Sequence, residues 1–165
     1  GSDFLAALCG QWEREALAAE KLGVRTAVAR IGVVLAKGGG ALAKMLPPFK
    51  FGIGGRLGAG RQPFPWIHRD DVVGAVLFLI DGKLEGPVNF TAPDPKTNAA
   101  FTKALGRALH RPAFLPVPAF ALKLILGEMA GMLLGGQRAL PKKLLDAGYS
   151  FKYPTLEGAL KDILR

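Results

Sequence analysis

The chain has 165 residues, half of them hydrophobic, and a mean hydropathy of +0.25. These values fit one ordinary domain with a buried core and exclude intrinsic disorder, which requires few apolar residues. The net charge of +9 would suit a polyanion, but the basic residues are scattered, and no run reaches the roughly five to eight expected of a nucleic-acid tract. The composition therefore predicts no nucleic-acid partner.

Cysteine content and hydropathy exclude further classes. Cys9 is the only cysteine, so the chain offers no internal disulfide and no cysteine metal site. The start lacks the basic and apolar regions of a signal peptide. The most apolar stretch, 114–136, is interrupted by Lys123 and Glu128, whereas a bilayer span needs about 20 largely uncharged residues. We expect a cytoplasmic protein with no membrane partner and no metal.

The first elements predict half of a βαβ unit. Residues 3–22 have helical apolar spacing with Asp3 as cap, and Cys9 is expected to be a small core residue of this helix. Its inward side chains should include Phe4, Leu5, Leu8 and Trp12. Gly23 ends the helix, and residues 24–35 form a strand that is apolar on both faces. Such a strand is typical of the interior of a helix-covered parallel sheet.

The middle of the chain predicts a loop between two helices. A short helix over 41–46 ends at Pro47-Pro48, and residues 50–65 form a long Gly-, Pro- and Arg-rich loop, a feature that is more often functional than idle. The next helix spans 70–81. Its inward positions are predicted to be Val72, Val73, Val76, Leu77 and Ile80.

The residues just before that helix are the strongest candidates for ligand contact. Trp66 and His68 could face a cleft, and Arg61 in the preceding loop could pair with a phosphate or a carboxylate. Structural alternatives stay open: His68 could be a core histidine, and Arg61 could be a solvated arginine. Asp70 or Asp71 could cap the helix that follows, which is a structural role.

The rest of the chain supplies one further strand, 87–92, and several helices. The helices are predicted over 98–109 (capped by Thr97 or Asn98), 118–134, 141–147 and 155–164. Two parallel strands make a poor independent sheet, since three or more are usually needed. The chain therefore looks incomplete, and the open edge of the strand at 24–35 predicts self-association.

The glycine-rich stretches do not contain a nucleotide-binding signature. Gly52-Ile53-Gly54-Gly55-Arg56-Leu57 fails G-x-G-x-x-G at its last position and follows a helix instead of a strand, and no Walker-type loop occurs. We therefore expect this chain alone to bind no dinucleotide tightly.

The order of several motifs resembles the YfcH-like, epimerase-family branch of the extended short-chain dehydrogenase/reductases. The motifs lie at 12–13, 29–35, 39–46, 66–71, 86–93 and 111–118. The resemblance covers essentially the whole chain and a little over half of a typical member. It implies an α/β, Rossmann-type fold: residues 1–114 would be the C-terminal portion of the NAD(P)-binding domain with substrate-lobe elements, and residues 115–165 a small, mostly helical C-terminal domain.

The resemblance also implies NADP or NAD as the cofactor of the full-length protein and a small-molecule substrate. The superfamily's catalytic Tyr-x-x-x-Lys pair falls on Leu5 and Cys9, which cannot perform that chemistry, so no catalytic residue is assigned. An arginine of the nucleotide-sugar enzymes is replaced by Phe64, which disfavours a nucleotide-sugar substrate.

We place Arg30, Gly32 and Val33 on the nicotinamide side, because ligands of open α/β sheets lie outside the carboxyl ends of the strands. The substrate side would hold Arg61, Trp66 and His68. The leading hypothesis is a fragment of an NAD(P)-dependent oxidoreductase or epimerase of unknown substrate. The alternatives are a non-catalytic dinucleotide-binding sensor or scaffold, and a helical protein-interaction module.

Overall fold

The computed structural model describes residues 4–127 and 129–165. Its α-helices are α1 (Phe4–Leu17), α2 (Gly40–Lys50), α3 (Arg69–Asp81), α4 (Asn98–Ala108), α5 (Ala119–Leu126), α6 (Met129–Leu134), α7 (Lys142–Asp146) and α8 (Leu156–Ile163). Its strands are β1 (Ala27–Ile31), β2 (Val33–Leu35), β3 (Pro63–Phe64), β4 (Trp66–His68), β5 (Gly86–Phe90) and β6 (Lys96–Thr97). None of the described helices is both long and apolar enough to cross a membrane.

The predicted strand at 24–35 is divided into β1 and β2, which pair with different neighbours. β1 lies parallel to β5, and β2 lies parallel to β4. The change occurs at Gly32, whose amide donates to the Phe90 carbonyl at 3.0 Å, while the next amide, of Val33, donates to the Pro65 carbonyl at 2.6 Å. Within the described residues the second edge of β1 has no strand partner.

Two buried clusters hold the fold together. One joins β2, α2, α4 and α8 and is built mainly from Leu35, Leu42, Trp66, Phe101, Leu105, Leu156 and Leu160. The other lies under α3 and contains Ile67, Ala75, Leu79, Val88, Phe90 and Leu144. Each large apolar side chain buried in this way contributes about 1.5–3 kcal/mol. The C-terminal helices α7 and α8 therefore share these cores with the preceding elements.

Helix α1 does not bury the face predicted to be inward. Phe4, Leu5 and Trp12 are exposed by 78%, 48% and 66%, and no residue of α1 is buried. Cys9 is also exposed, so its prediction as a core residue is wrong. The apolar periodicity describes a face that needs a neighbour, and the described part of the chain does not supply one. The predicted cap, Asp3, lies outside the described residues.

Helix α3 buries a different stripe from the predicted one. Ala75 and Leu79 face the core with Asp71, whereas Val73 and Leu77 are exposed. Val76 and Ile80 are likewise exposed, so the inward prediction is wrong for these four residues. The helix is apolar on more than one side, and the choice of stripe depends on the sheet beneath it.

Other boundaries differ because backbone geometry overrides the local sequence signals. Helix α2 continues through Pro47-Pro48 to Lys50 instead of ending at residue 46. The predicted helix over 118–134 is interrupted at Gly127, which has φ of 55°. The predicted loop over 50–65 is confirmed for 51–62, since Lys50 belongs to α2 and β3 occupies Pro63–Phe64. It packs against residues 115–117, where Gly58 N–H donates to the Val117 carbonyl at 2.8 Å. The predicted helix at 98–109 is confirmed as α4, and the Thr97 hydroxyl caps it by accepting from the Ala100 amide.

Candidate functional site

The candidate site lies at the carboxyl end of β1, where the chain passes from one strand pair to the other. Gly32 has no room for a side chain: a Cβ there would lie 2.4 Å from the Pro65 carbonyl oxygen and 3.1 Å from the Thr91 methyl group. The glycine is thus required by packing within the chain. Ligands of open α/β sheets bind outside this edge of the strands.

A segment without regular secondary structure, residues 135–140, is hydrogen-bonded next to this edge. The Thr91 hydroxyl donates to the Ala139 carbonyl at 3.3 Å, and the Asn89 amide donates to the Leu140 carbonyl at 3.1 Å. Gly136 lies so close to Pro63 that a Cβ would be 2.4 Å from its carbonyl oxygen. Gln137 and Arg138 lie between these contacts, and both are exposed.

Sequence reasoning assigned no role to Gln137 and Arg138. These two residues lie between two predicted helices, over 118–134 and 141–147, and were therefore part of no predicted element. The missing information was spatial, since nothing in the sequence places residue 138 beside a strand that ends at residue 90.

Arg30 is held by Glu13 of α1. The guanidinium forms two hydrogen bonds with the carboxylate, each of 2.6 Å. This pairing raises the pKa of Arg30 and lowers the pKa of Glu13, in both cases mainly through the side-chain hydrogen bond. The Arg30 side chain therefore fastens α1 to β1, and a cofactor phosphate would have to share it with Glu13.

Trp66 and His68 are buried by the chain itself. Trp66 is 1% exposed, and its indole N–H donates to the Asp94 carbonyl at 2.9 Å. His68 is 2% exposed and its ring lies 3.9 Å from that of Tyr153, centroid to centroid. Arg61, by contrast, is exposed and forms no ion pair among the described residues. The structure thus brings only Arg61 to the surface, and the substrate role of all three residues stays a prediction.

His68 also caps helix α3. Its Nδ1 accepts the Asp70 amide at 3.1 Å, so neither aspartate is the cap and that prediction is wrong. Since Nδ1 accepts, the neutral ring carries its proton on Nε2, which lies 3.4 Å from the Asp162 carboxylate. Burial lowers the pKa of His68, against the opposing effect of the Asp70, Asp162 and Asp71 carboxylates.

The lowered pKa of His68 predicts acid sensitivity. His68 binds a proton more readily in the unfolded chain than in the folded one. The free energy of unfolding should therefore fall as the pH drops below about 6.5, by at most about 1.4 kcal/mol per pH unit. Above that pH, His68 is neutral in both states and the stability should not depend on its titration. Urea unfolding at several pH values above 5 measures this slope. The variant His68→Asn keeps an acceptor for the Asp70 amide and should lose the slope, whereas His110→Gln should retain it. Equal slopes in all three proteins would contradict the prediction.

Asp71 fixes the C-terminal region to α3. Its carboxylate is 1% exposed and accepts the amides of Lys152 at 2.6 Å and Tyr153 at 3.0 Å. The Tyr149 hydroxyl donates to the Asp71 carbonyl at 3.0 Å, and burial together with the Asp71 charge raises the pKa of Tyr149 to about 12. Next to it, Asp70 pairs with Lys152 at 2.8 Å, which lowers the pKa of Asp70. This network positions residues 149–153 against the helix that follows β4.

The described residues contain no group of three or more His, Cys, Asp or Glu side chains placed to hold a metal ion. The candidate site consists of the strand edge at 31–33 and the exposed residues around it. A ligand at this edge could contact the apolar side chain of Ile31, backbone groups, and the guanidinium of Arg138.

Comparisons with known proteins identify relatives of this chain. The sequence model of a domain of unknown function, DUF1731, matches residues 117–163. An epimerase family protein of Staphylococcus aureus (strain MW2) is 44% identical over 164 residues, which cover 99% of this chain and 55% of the relative. The epimerase family protein SDR39U1 of Mus musculus is 46% identical over 165 residues, covering 98% of this chain and 56% of that protein.

Solved structures show the same fold. The crystal structure of human SDR39U1 (isoform 2) with NADPH matches with a TM-score of 0.81 and 43% identity, over 85% of this chain and 48% of that one. A UDP-glucose 4-epimerase of Thermus thermophilus in complex with NAD matches with a TM-score of 0.62 at 16% identity, over 92% of this chain and 49% of the other, and supports the fold alone. The chain spans about half the length of the curated relatives it matches, and it belongs to the SDR39U1-like epimerase family, a branch of the extended short-chain dehydrogenase/reductases with a Rossmann-type fold.

Proposed function

We propose that this chain is the C-terminal part of an NAD(P)-dependent, epimerase-like oxidoreductase acting on a small molecule. The observation that carries the proposal is the likeness to the human relative whose crystal structure contains NADPH, at 43% identity and a TM-score of 0.81. In this proposal residues 1–114 contribute to the dinucleotide-binding domain and residues 115–165 form the smaller domain.

The strand edge fits one part of a dinucleotide. Ile31 is 53% exposed at the carboxyl end of β1 and precedes the side-chain-free Gly32 and the half-buried Val33. An apolar side chain at this edge suits the flat nicotinamide ring, and the exposed Arg138 guanidinium suits a phosphate or carboxylate. The bound dinucleotide would supply or accept the hydride. The residues of this chain would orient the ring and exclude water from one side.

The same chain does not fit the pyrophosphate. Its glycine-rich loop is already filled: a Cβ at Gly54 would lie 2.6 Å from the Phe49 ring, and the backbone at Gly55 is closed off by Leu115. In Rossmann-type folds the pyrophosphate binds open backbone N–H groups at the start of a helix. We therefore assign the pyrophosphate to a further part of the Rossmann-type sheet and expect no tight cofactor binding by this chain alone.

A fluorescence titration with NADPH tests the proposal. The 165-residue chain should give no saturable signal, whereas a chimera that places the unmatched part of the Staphylococcus aureus relative before it should bind NADPH. Sedimentation of the same samples is the control, because the unpaired edge of β1 and the exposed Ile31 favour self-association of the isolated chain. Saturable, stoichiometric binding by a monomeric isolated chain would contradict the proposal, and so would a folded chimera that does not bind.

A non-catalytic, dinucleotide-binding sensor or scaffold is the second candidate. It is favoured by Leu5 and Cys9, which lie on the exposed surface of α1 where the superfamily resemblance expects the catalytic tyrosine and lysine. Leucine has no proton to donate, and a thiol carries no permanent positive charge. Reduction of a small carbonyl compound with NADPH by the chimera would exclude this candidate.

A helical interaction module is the third candidate, favoured by α5. Phe120 and Leu124 are exposed by 74% and 86% on this short helix. The two residues are one helical turn apart and so lie on the same face, and a contiguous exposed apolar face is typical of an interaction surface.

A further inference from the structure

Two adjoining cavities, each of about 430 Å³, lie at the C-terminal ends of α4 and α8. We propose that they form a binding site for an organic phosphate that carries an apolar group. The cavities share Arg107 and His110. The apolar lining of the first cavity is formed by Ala104, Ala108, Leu160 and Leu164. That of the second is formed by Gly106, Ala113 and Phe114.

The rim of this groove carries a concentrated positive charge. Its permanently charged residues are Lys103, Arg107, Arg111, Lys161 and Arg165. The lining residues carry two carboxylates in the 165-residue chain: the side chain of Glu157 and the terminal carboxylate of Arg165. Glu157 lies 3.9 Å from Lys96, a residue outside the groove. In the part of the chain that the structure describes, none of the five cations forms an ion pair.

Helix dipoles do not account for this charge. The two helix ends that meet here carry together about one negative charge, since each C-terminus is equivalent to roughly −0.5. The five fixed positive charges of the lining exceed the two carboxylates by three, which is still more than the helix ends account for. Such an excess of cations around an apolar surface favours the binding of an anion with an apolar group.

The backbone holds His110 between the two cavities in a conformation that costs energy. Its φ is 54°, a left-handed value that glycine or asparagine usually supplies after a helix, and an ordinary side chain there costs about 1–2 kcal/mol. The turn is fixed by the Arg111 amide, which donates to the Gly106 carbonyl at 2.9 Å. Gly106 admits this approach, because a Cβ there would lie 2.6 Å from the Cβ of Ala113. The structure thus places the His110 imidazole at a position where a glycine would adopt the same backbone conformation without strain.

The groove is distinct from the strand-edge site. The N-terminal end of α4 contacts the loop next to β3, where the Asn98 amide donates to the Gln62 carbonyl at 2.9 Å. The cavities lie at the other end of this helix, about 15 Å away at about 1.5 Å per residue. Their size falls within the usual range of small-molecule sites. The inference therefore does not depend on the proposed oxidoreductase function.

Isothermal titration of the 165-residue chain with 1-naphthyl phosphate tests the groove, with inorganic phosphate and 1-naphthol as separate probes. We expect saturable binding of the complete probe and weaker binding of each component, because the site combines an apolar floor with cations. The double variant Arg107→Gln/Lys161→Gln should raise the Kd on the order of tenfold or more. Both side chains are exposed, so this variant should keep the native circular dichroism spectrum.

The matched control is Lys44→Gln/Lys50→Gln, which removes the same charge from exposed positions of α2. Its Kd should stay within about twofold of the parent value if the contacts are local to the groove. An equal loss in both double variants would overturn the proposal in favour of diffuse net charge. Absence of saturable binding at millimolar probe would also overturn it, and so would binding of only an oligonucleotide or only anionic vesicles.

Discussion

Replacing Gly32 with alanine is expected to lower the free energy of unfolding by about 3 kcal/mol. The new Cβ would lie 2.4 Å from the Pro65 carbonyl oxygen, which is backbone and cannot rotate away. Relief would require moving β4 or the end of β1, and with it the hydrogen bonds from Gly32 to Phe90 and from Val33 to Pro65. Chemical unfolding followed by far-UV circular dichroism measures the effect.

The control for this substitution is Gly131→Ala. Gly131 lies in α6, and a Cβ there would meet no atom within 4 Å. Alanine in a helix is more favourable than glycine by about 1 kcal/mol, so this variant should be as stable as the parent or more stable. A neutral Gly32→Ala substitution would contradict the inference that the chain is closely packed where β1 and β2 change strand partners.

Replacing Asp71 with asparagine is expected to cost about 3 kcal/mol of stability, because hydrogen bonds to a charged acceptor contribute about 1.5–3 kcal/mol each. The carboxylate is buried and accepts two backbone amides, those of Lys152 and Tyr153. Asparagine keeps the shape but turns an N–H group toward one of these donors. Urea unfolding gives the free energy, and hydrogen exchange at residues 152 and 153 should report the local loss.

Asp81→Asn is the matched control for Asp71→Asn. Asp81 is the exposed last residue of the same helix, where a carboxylate is disfavoured by the dipole, so its removal should be neutral or slightly stabilising. Equal effects of the two substitutions would mean that the C-terminal region does not depend on Asp71.

The helical faces show where local periodicity stops being informative. The helix over 70–81 was predicted correctly as an element, since α3 spans Arg69–Asp81, but the predicted inward residues Val73, Val76, Leu77 and Ile80 are exposed. Periodicity detects that a helix has apolar stripes. It does not reveal which stripe meets the sheet when more than one is available.

The candidate site was predicted only in part. The carboxyl end of the strand at 24–35 was identified from its position in an α/β pattern, and the structure places Gly32 at that edge. A core histidine was one alternative for His68, but the burial of Trp66 was not foreseen. The residues that surround these two side chains, Asp94, Tyr153 and Asp162, come from distant parts of the chain. Gln137 and Arg138 were missed because they reach β5 only through contacts of Asn89 and Thr91 with residues some 50 positions later.

The sequence by itself determined the α/β class, the positions of α3, α4 and α8, and the family. These depend on short-range signals: caps such as Thr97, terminators such as Gly23, and a strand apolar on both faces. Only the tertiary structure decided the change of strand partner at Gly32, the fastening of residues 149–153 by Asp71, and the basic groove built from 103–114 and 157–165. Each of these joins residues far apart in the chain, and packing, not local conformational preference, selects such pairs.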